Sequence, residues 1–410
     1  MPTPHHPDVV IIGGGILGCA IARYLSRLPG LSVTVVERHG LGEQTTSYAA
    51  ALLTRIRPHS ALTALAMETF RAIEEMGQSS GEPLPLRSVG SLQVSARPDG
   101  LRQLEETARR AKEAGVTAKA IAVQDAMQLA PWLDLTPDTA ALWLPGDGYI
   151  DPYSLCMAYA AEGRRRGVRF RLKQSVSDLL MQGGRVTGVR LGHGEVLSAG
   201  LVVDAAGPWS TALARQVGVH LGMAPVRSHY WISAPDARIP AHGPMTILPD
   251  SGAYARPDVG GLLFGLREAQ DVVADPAALP ESLQGFRFDT DPAGEHALED
   301  GYASLRSQLP LLDELRLAHY VSNVSSYTPD GFYLLGPMPG IQGFIAATGC
   351  SGAGIGMSGG IGRFISELIA GQPTFVTSEP FRLDRFGAID PFDPDFIHRC
   401  AAARARKRTG

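Results

Sequence analysis

Three glycines close to the start of the chain have the spacing for phosphate chemistry. They read Gly13-x-Gly15-x-x-Gly18, directly after the apolar run Val9-Val10-Ile11-Ile12. The first glycine of such a loop permits a tight turn, the second lets backbone approach a pyrophosphate, and the third lets helix pack on strand. Ile16 and Leu17 begin the helical stretch, whose N-terminus offers free N–H groups and a positive dipole end to phosphate. Glu37 follows Gly18 by nineteen residues, at the end of a second apolar run. An acid there bonds ribose hydroxyls and disfavours a 2′-phosphate. The combination is a dinucleotide site. By itself it does not choose between NAD and FAD.

Two further segments bear on that choice. An NAD-binding domain would continue with more βα units, but here Glu37 is soon followed by Thr45-Thr46-Ser47-Tyr48-Ala49-Ala50-Ala51. Small residues let a bulky planar ligand lie against backbone, and hydroxyls reach phosphate or ribityl oxygens. Near the other end stands Gly349-Cys350-Ser351-Gly352-Ala353-Gly354-Ile355-Gly356, followed by helical spacing. Alone, this is equally a tight packing turn. Two strand–glycine–helix corners at opposite ends of one chain point to one extended ligand held by both. A helix N-terminus aimed at a flavin pyrimidine edge would stabilise the charge of the reduced ring.

The elements that must position these residues are legible in outline. Val9–Ile12 and Ser32–Glu37 read as buried parallel strands around a helix from Ile16 to Leu28. Ser60–Met76 and Leu101–Ala114 read as helices, the latter supported by Glu105 and Glu106 four residues before Arg109 and Arg110. Gly184–Asp204 reads as hairpin strands leading to the corner Ala205-Ala206-Gly207-Pro208-Trp209-Ser210. Gly343–Thr348 reads as a strand and Gly356–Ala370 as a helix. The expected fold class is α/β: a Rossmann-like FAD-binding domain from residues 1–90, 150–222 and 321–395, with an α+β, mixed-sheet substrate domain from 91–149 and 223–320. Residues 396–410, small and basic, read as a flexible tail.

Composition sets the remaining bounds. The 410 residues are 44% apolar and 19% charged, with a net charge of −4. That balance fits a packed globular body and favours neither nucleic acid nor an anionic membrane surface. No run approaches the roughly 20 apolar residues of a membrane span. Cys19, Cys156, Cys350 and Cys400 have no metal or redox spacing, and isolated thiols fit a reducing, cytoplasmic setting. No metal site is expected, and His5-His6 reads as tail.

On these residues the sequence resembles the FAD-dependent oxidoreductases of the D-amino acid oxidase type, which include glycine oxidase, sarcosine oxidase and the sarcosine and dimethylglycine dehydrogenases. The carriers are Val10–Gly18 with Glu37-Arg38, Thr45–Leu53, Val203–Trp209, and above all Ser326-Tyr327-Thr328-Pro329-Asp330-Gly331 with Leu335-Gly336-Pro337 and Gly349–Gly360. The likeness does not extend to the folate-binding C-terminal domain of the dehydrogenases. It implies that Gly13, Gly15, Ile16, Leu17, Gly18 and Glu37 hold the ADP half of FAD, with Arg38 near adenosine and Val176 reaching adenine through its backbone. Thr45, Thr46 and Ser47, with Ala49, Ala50 and Leu52, fall where the family meets the pyrophosphate, ribityl chain and ring. Ala206, Gly207 and Trp209 match a second FAD corner, and Gly352, Ala353, Gly354, Ile355 and Gly356 the loop beside the ring.

Three departures matter. The positions of covalent flavin attachment in the family align with Tyr48 and Asn323, so the FAD is expected to be non-covalent. An oxygen-activating Lys aligns with Leu263. An Arg that clamps a substrate carboxylate aligns with Ser325. Candidate replacement clamps are Arg55, Arg57, Tyr254 and Arg256, each arginine reading also as a solvated surface charge, with His229 and Tyr327 as further substrate candidates; His229 reads equally as a buried structural residue. No catalytic side chain is assigned, because the resemblance implies hydride transfer from a neutral amine to flavin N5. The expected reaction is oxidation of the C–N bond of an amino acid or N-alkyl amino acid, with oxygen or another carrier as electron acceptor. The rivals are 2-hydroxy acid oxidation, a flavin subunit of a heteromeric amine dehydrogenase, and an NAD-linked enzyme or plain nucleotide-binding module.

Overall fold

The computed structural model describes residues 6–268 and 272–406. Its strands are β1 (Val9–Ile12), β2 (Val33–Glu37), β3 (Leu52–Leu53), β4 (Ser91–Ser95), β5 (Lys119–Ile121), β6 (Ala140–Leu144), β7 (Gly148–Tyr149), β8 (Arg169–Leu172), β9 (Val176–Gln182), β10 (Arg185–Leu191), β11 (Val196–Ser198), β12 (Leu201–Asp204), β13 (Ala224–Ser233), β14 (Met245–Leu248), β15 (Ala253–Asp258), β16 (Gly261–Leu266), β17 (Leu317–Tyr327), β18 (Leu334–Pro337) and β19 (Phe344–Thr348). Its α-helices are α1 (Ile16–Leu25), α2 (Ser60–Ser80), α3 (Pro98–Glu113), α4 (Val123–Leu129), α5 (Pro152–Arg165), α6 (Ser210–Arg215), α7 (Glu295–Arg306), α8 (Gly354–Ile369) and α9 (Pro394–Arg406).

Two sheets organise the mixed α/β fold. The first runs β18-β19-β12-β1-β2-β8, with the β18–β19 pair antiparallel and the rest parallel. β1 is apolar throughout because both of its faces are covered. Val9 and Ile11 pack among α1, α2, α5 and α8, whereas Val10 and Ile12 pack on the three-stranded sheet β11-β10-β9 and on α6. The helices come unusually close. A Cβ on Gly360 would lie 2.3 Å from Leu65 Cα of α2, and one on Gly362 would lie 2.8 Å from Ala20 O of α1. The fully buried Arg23 of α1 ties the same layer together, meeting Glu162 of α5 at 2.6 Å and Glu75 of α2 at 3.0 Å.

The second sheet runs β17-β13-β16-β15-β14-β4-β6-β5 and is antiparallel except for β14–β4. One face buries Trp231, Phe264 and Leu262 with Trp132 and with Ala297 and Leu305 of α7. The opposite face turns toward the first sheet. β17 stays in this second sheet through Tyr327, past the boundary expected at residue 321.

Residues 394–406 correct the reading of a flexible tail beyond 396. They form α9, which buries Phe396, Ile397, Cys400 and Ala401 against Ala224, Val226 and Tyr327. A full burial of Phe or Ile is worth roughly 1.5–3 kcal/mol, enough to dock a short helix. Residues 407–410 lie outside the described residues, as does His5. Among the described residues no helix is long and apolar enough to cross a membrane.

Candidate active site

The glycine loop begins where β1 ends. Gly13 takes φ +100°, a conformation open to glycine, and a Cβ there would sit 2.5 Å from Ala205 O. Gly18 packs against the loop itself: its Cβ would fall 1.9 Å from Gly13 O. Gly18 is therefore absent from the cavity wall and instead lets α1 close on the turn. Glu37 braces the loop from β2, its carboxylate accepting from Gly14 N at 2.7 Å and His39 N at 2.7 Å. Thr46 Oγ1 accepts from Ile16 N at 3.0 Å. The Gly15 and Leu17 amides have no hydrogen-bond partner among the described residues, and both line the cavity. Cys19 and Cys156 converge beneath the loop, each thiol directed at Gly14 O, at 3.4 and 3.8 Å. A hydrogen bond with Cys156, together with burial, pushes the Cys19 thiol well above its ordinary range.

One cavity of about 330 Å³ joins this loop to the facing sheet. Its wall includes Gly13, Gly15, Ile16, Leu17, Glu37, Arg38, Thr45, Thr46, Ala49, Ala50, Leu52, Val176, Ala206, Gly207 and Trp209, together with Gly352, Ala353, Gly354, Ile355 and Gly356. Both glycine corners thus open onto the same space, each at the N-terminus of a helix. Ser47 lies off the wall, its hydroxyl turned to Gln44 O. Arg38 stacks over Trp209 with Cζ 3.9 Å from the ring centroid, and Trp209 donates to Pro280 O at 2.9 Å. Asp204, at the end of β12, accepts from Ala206 N and Ser210 Oγ. Its second oxygen is buried without a partner, and burial raises its pKa to about 6.

These features fit a dinucleotide with a flat ring. Unpartnered amides at a helix N-terminus can receive an anion. Glycine and alanine on the wall leave room for a planar group against backbone. Among the described residues the wall carboxylates are Glu37 and Glu43, both in the glycine-loop region.

The opposite wall is built by β13, β15, β16, β17 and α9. Tyr254 and Tyr327, expected as substrate contacts, line the cavity, as do Tyr230, Ser228, Arg267 and Arg404. Burial raises the Tyr254 phenol and pushes Tyr230 up to about 12. The Tyr254 ring lies across Gly265, where a Cβ would fall 2.3 Å from Tyr254 Cζ. Arg57 also lines the cavity, bonded to Thr54 Oγ1 at 2.8 Å.

Two expected clamps point elsewhere. Arg55 stacks on Phe70, its Cζ 3.6 Å from the centroid, and faces Asp147. Arg256 is engaged by Ala50 O, Pro257 O and Asp258, with its Cζ 4.5 Å from the Tyr149 centroid. Both lie off the wall, Arg256 held by hydrogen bonds and Arg55 resting on Phe70 with Asp147 at 3.9 Å. Leu263 is likewise off the wall. His229 touches the cavity, but its ring is engaged. Leu266 O can only accept, so Nε2 donates to it at 3.2 Å, and Nδ1 is left to accept from Tyr320 Oη at 3.1 Å. Burial, with Arg404 and Arg227 nearby, holds the ring well below the usual histidine pKa. The ring is thus neutral, with both nitrogens engaged within the protein.

Arg404 was hidden in the supposed tail. The signal was present in the spacing Phe396, Ile397, Cys400, Ala401, Arg404 after Pro394-Asp395, a helical stripe with a helix start. Among the described residues no cluster of His, Cys, Asp and Glu could hold a metal ion.

The comparisons with known proteins agree with this geometry. A family model described as DAO, FAD dependent oxidoreductase, matches residues 8–368. Mitochondrial dimethylglycine dehydrogenase of Mus musculus is 27% identical over 377 residues, covering 90% of this chain and 43% of that protein. The chain therefore spans less than half of that relative's length. Among solved structures, L-proline dehydrogenase from P. horikoshii superposes with a TM-score of 0.80 at 22% identity, covering 94% of this chain and 99% of the other. Glycine oxidase from Geobacillus kaustophilus gives 0.75 at 22% identity, covering 93% and 99%. At such identities these structures speak to the fold.

Proposed function

This chain belongs to the DAO family of FAD-dependent oxidoreductases, and on that premise we propose that it oxidises the C–N bond of an amino acid or N-alkyl amino acid to an imine, which water hydrolyses. The observation that carries the reading is the charge distribution of the cavity. Among the described residues, the lining charges beyond the glycine-loop region are the cations Arg57, Arg267 and Arg404, set among Tyr230, Tyr254 and Tyr327. Such surroundings favour a ligand carboxylate and disfavour an ammonium group beside it. The amine is thus held neutral, the form that can release its α-hydrogen with two electrons.

Bound FAD supplies the two-electron acceptor. The chain's own residues hold the ligand carboxylate, orient the α-carbon toward the ring and keep water out. No protein base is assigned, in keeping with a His229 whose nitrogens are both engaged. We assign the ADP half of FAD to the Gly13–Gly18 loop and Glu37, and the ring to the wall formed by Ala49–Leu52 and Gly352–Gly356. Attachment is non-covalent, since Tyr48 and Asn323 replace the linking residues. The FAD-binding unit is discontinuous, with the second sheet as substrate domain. The four cysteines are free, in keeping with a cytoplasmic setting.

A panel of amines and N-methyl amino acids, assayed with oxygen and with a dye acceptor in parallel and against the matching 2-hydroxy acids, tests the reaction. Turnover of sarcosine-like amines alone is expected. Turnover of the hydroxy acids alone would overturn it. Acid should release the yellow colour from the pure protein; colour that stays with the chain would implicate Cys350, a thiol on the cavity wall.

A further inference from the structure

We propose that Arg404, delivered to the cavity by α9, is the specificity-determining cation that receives the substrate carboxylate. The inference rests on the amino acid reading above and adds the residue that reads the carboxylate.

Three neighbouring arginines are committed elsewhere. Arg256 is hydrogen-bonded off the wall, and Arg55, also off the wall, stacks on Phe70. Arg227 is also off the wall, bonded to Glu268, Asp291 Oδ2 and the carbonyls of Thr290 and Asp291. Arg404 differs. It lines the cavity, and Glu268 is its one hydrogen-bond partner among the described residues, through a single nitrogen, Nη1 to Oε2 at 2.9 Å. An arginine offers five N–H donors in a planar fork. One edge is therefore fixed and the remainder is available to a carboxylate.

The surroundings set the polarity. Arg227 and Arg404 are balanced by Glu268 and Asp291, and neither acid lines the cavity. The cluster is neutral in sum and turns its positive edge inward. Tyr254 lies within reach of the Arg404 charge. Tyr254 and Tyr230 line the same space, and their hydroxyls have no hydrogen-bond partner among the described residues. A carboxylate at Arg404 would meet phenol donors as well. α9 is seated by its apolar stripe rather than by Arg404, so the guanidinium can be changed without removing the helix's main anchor.

The test compares wild type with Arg404→Gln and Arg404→Lys, all loaded with FAD and matched for flavin content and melting temperature. For an amino acid substrate found by the amine panel, R404Q should raise KM at least about tenfold, the effect of losing a charged hydrogen bond. Its carboxamide should be handled within twofold of wild type, and R404K should recover part of the loss. Benzoate titrated against flavin absorbance reads the same contact without turnover, with R404Q at least tenfold weaker. Unchanged KM in R404Q, equal benzoate affinity, or a wild type blind to benzoate overturns the assignment. If amino acids are turned over and Arg404 proves silent, the amino acid reading stands and this inference falls. If only amines lacking a carboxylate are oxidised, the reading falls and the inference with it.

Discussion

The two walls of the cavity are built by opposite strategies. The glycine-loop wall is local: Gly13, Gly14, Ile16, Glu37 and Thr46 are joined by bonds spanning at most 30 positions of sequence. The facing wall is assembled from β13, β15, β16, β17 and α9, and its contacts span far more, as with Arg404 and Glu268 at 136 positions apart. A wall made of one motif tolerates little change at any residue. A wall made of five segments spreads its contribution, so single changes there should act on one ligand group at a time.

The sharpest break is expected on the local wall. Gly18→Ala must move α1 off the loop, at a cost of about 3 kcal/mol or more, which is 10²-fold in FAD affinity. The protein should elute colourless from gel filtration with its circular dichroism retained. A yellow G18A protein would show that the loop yields, and the contrast between walls would weaken.

Next is a pair of buried groups that titrate in opposite senses, one beside each wall. Asp204 has a folded pKa near 6 against about 3.9 unfolded. The native state therefore binds the extra proton, and stability falls as pH rises through about 4–6, by about 3 kcal/mol at most. His229 is depressed in the fold, so the unfolded chain binds the extra proton, and stability is lost as pH falls below about 6.5. Denaturant melts across pH should show Asp204→Asn stabilising the protein at pH 8 and His229→Asn flattening the acid limb. An unchanged profile in both variants would deny that burial governs these groups.

Smaller effects follow. Glu37→Gln leaves one of two amides facing the wrong group, and FAD affinity measured by fluorescence should weaken by about 1–2 kcal/mol. Tyr254→Phe should cost about 1 kcal/mol in kcat/KM with flavin content unchanged. Least of all, Arg55→Lys should leave KM within twofold, because Arg55 faces Phe70 and Asp147; a larger shift would return Arg55 to the substrate.

The same contrast explains what was legible in the residues. The βαβ unit, the glycine spacing and Glu37 obey short-range rules, so the loop wall could be located without coordinates. The placement of Gly349–Gly356 beside that loop rested on two like corners at opposite ends of the chain and was sharpened by the family resemblance, since nothing local distinguishes that segment from a packing turn. Arg256 and Arg55 looked like clamps because residue type alone does not disclose a partner such as Asp258 or Asp147. Arg404 was missed because its alanine-rich, basic neighbours outweighed the apolar stripe from Phe396 to Ala401. Spacing would have found the helix. Only tertiary contact could reveal what it touches.

Strand order also constrains how the protein is made. β1 pairs with β2 on one side and β12 on the other, and β12 in turn needs β19. A chain leaving the ribosome has β1 and β2 early, but the open edge of β1 waits for residues 201–204, and the sheet closes only with 344–348. Exposed apolar edges of this kind invite wrong pairing during slow, non-local folding. α9 emerges last. A nascent chain thus has the residues of both glycine corners, and the strand that closes the first sheet, before it owns Arg404.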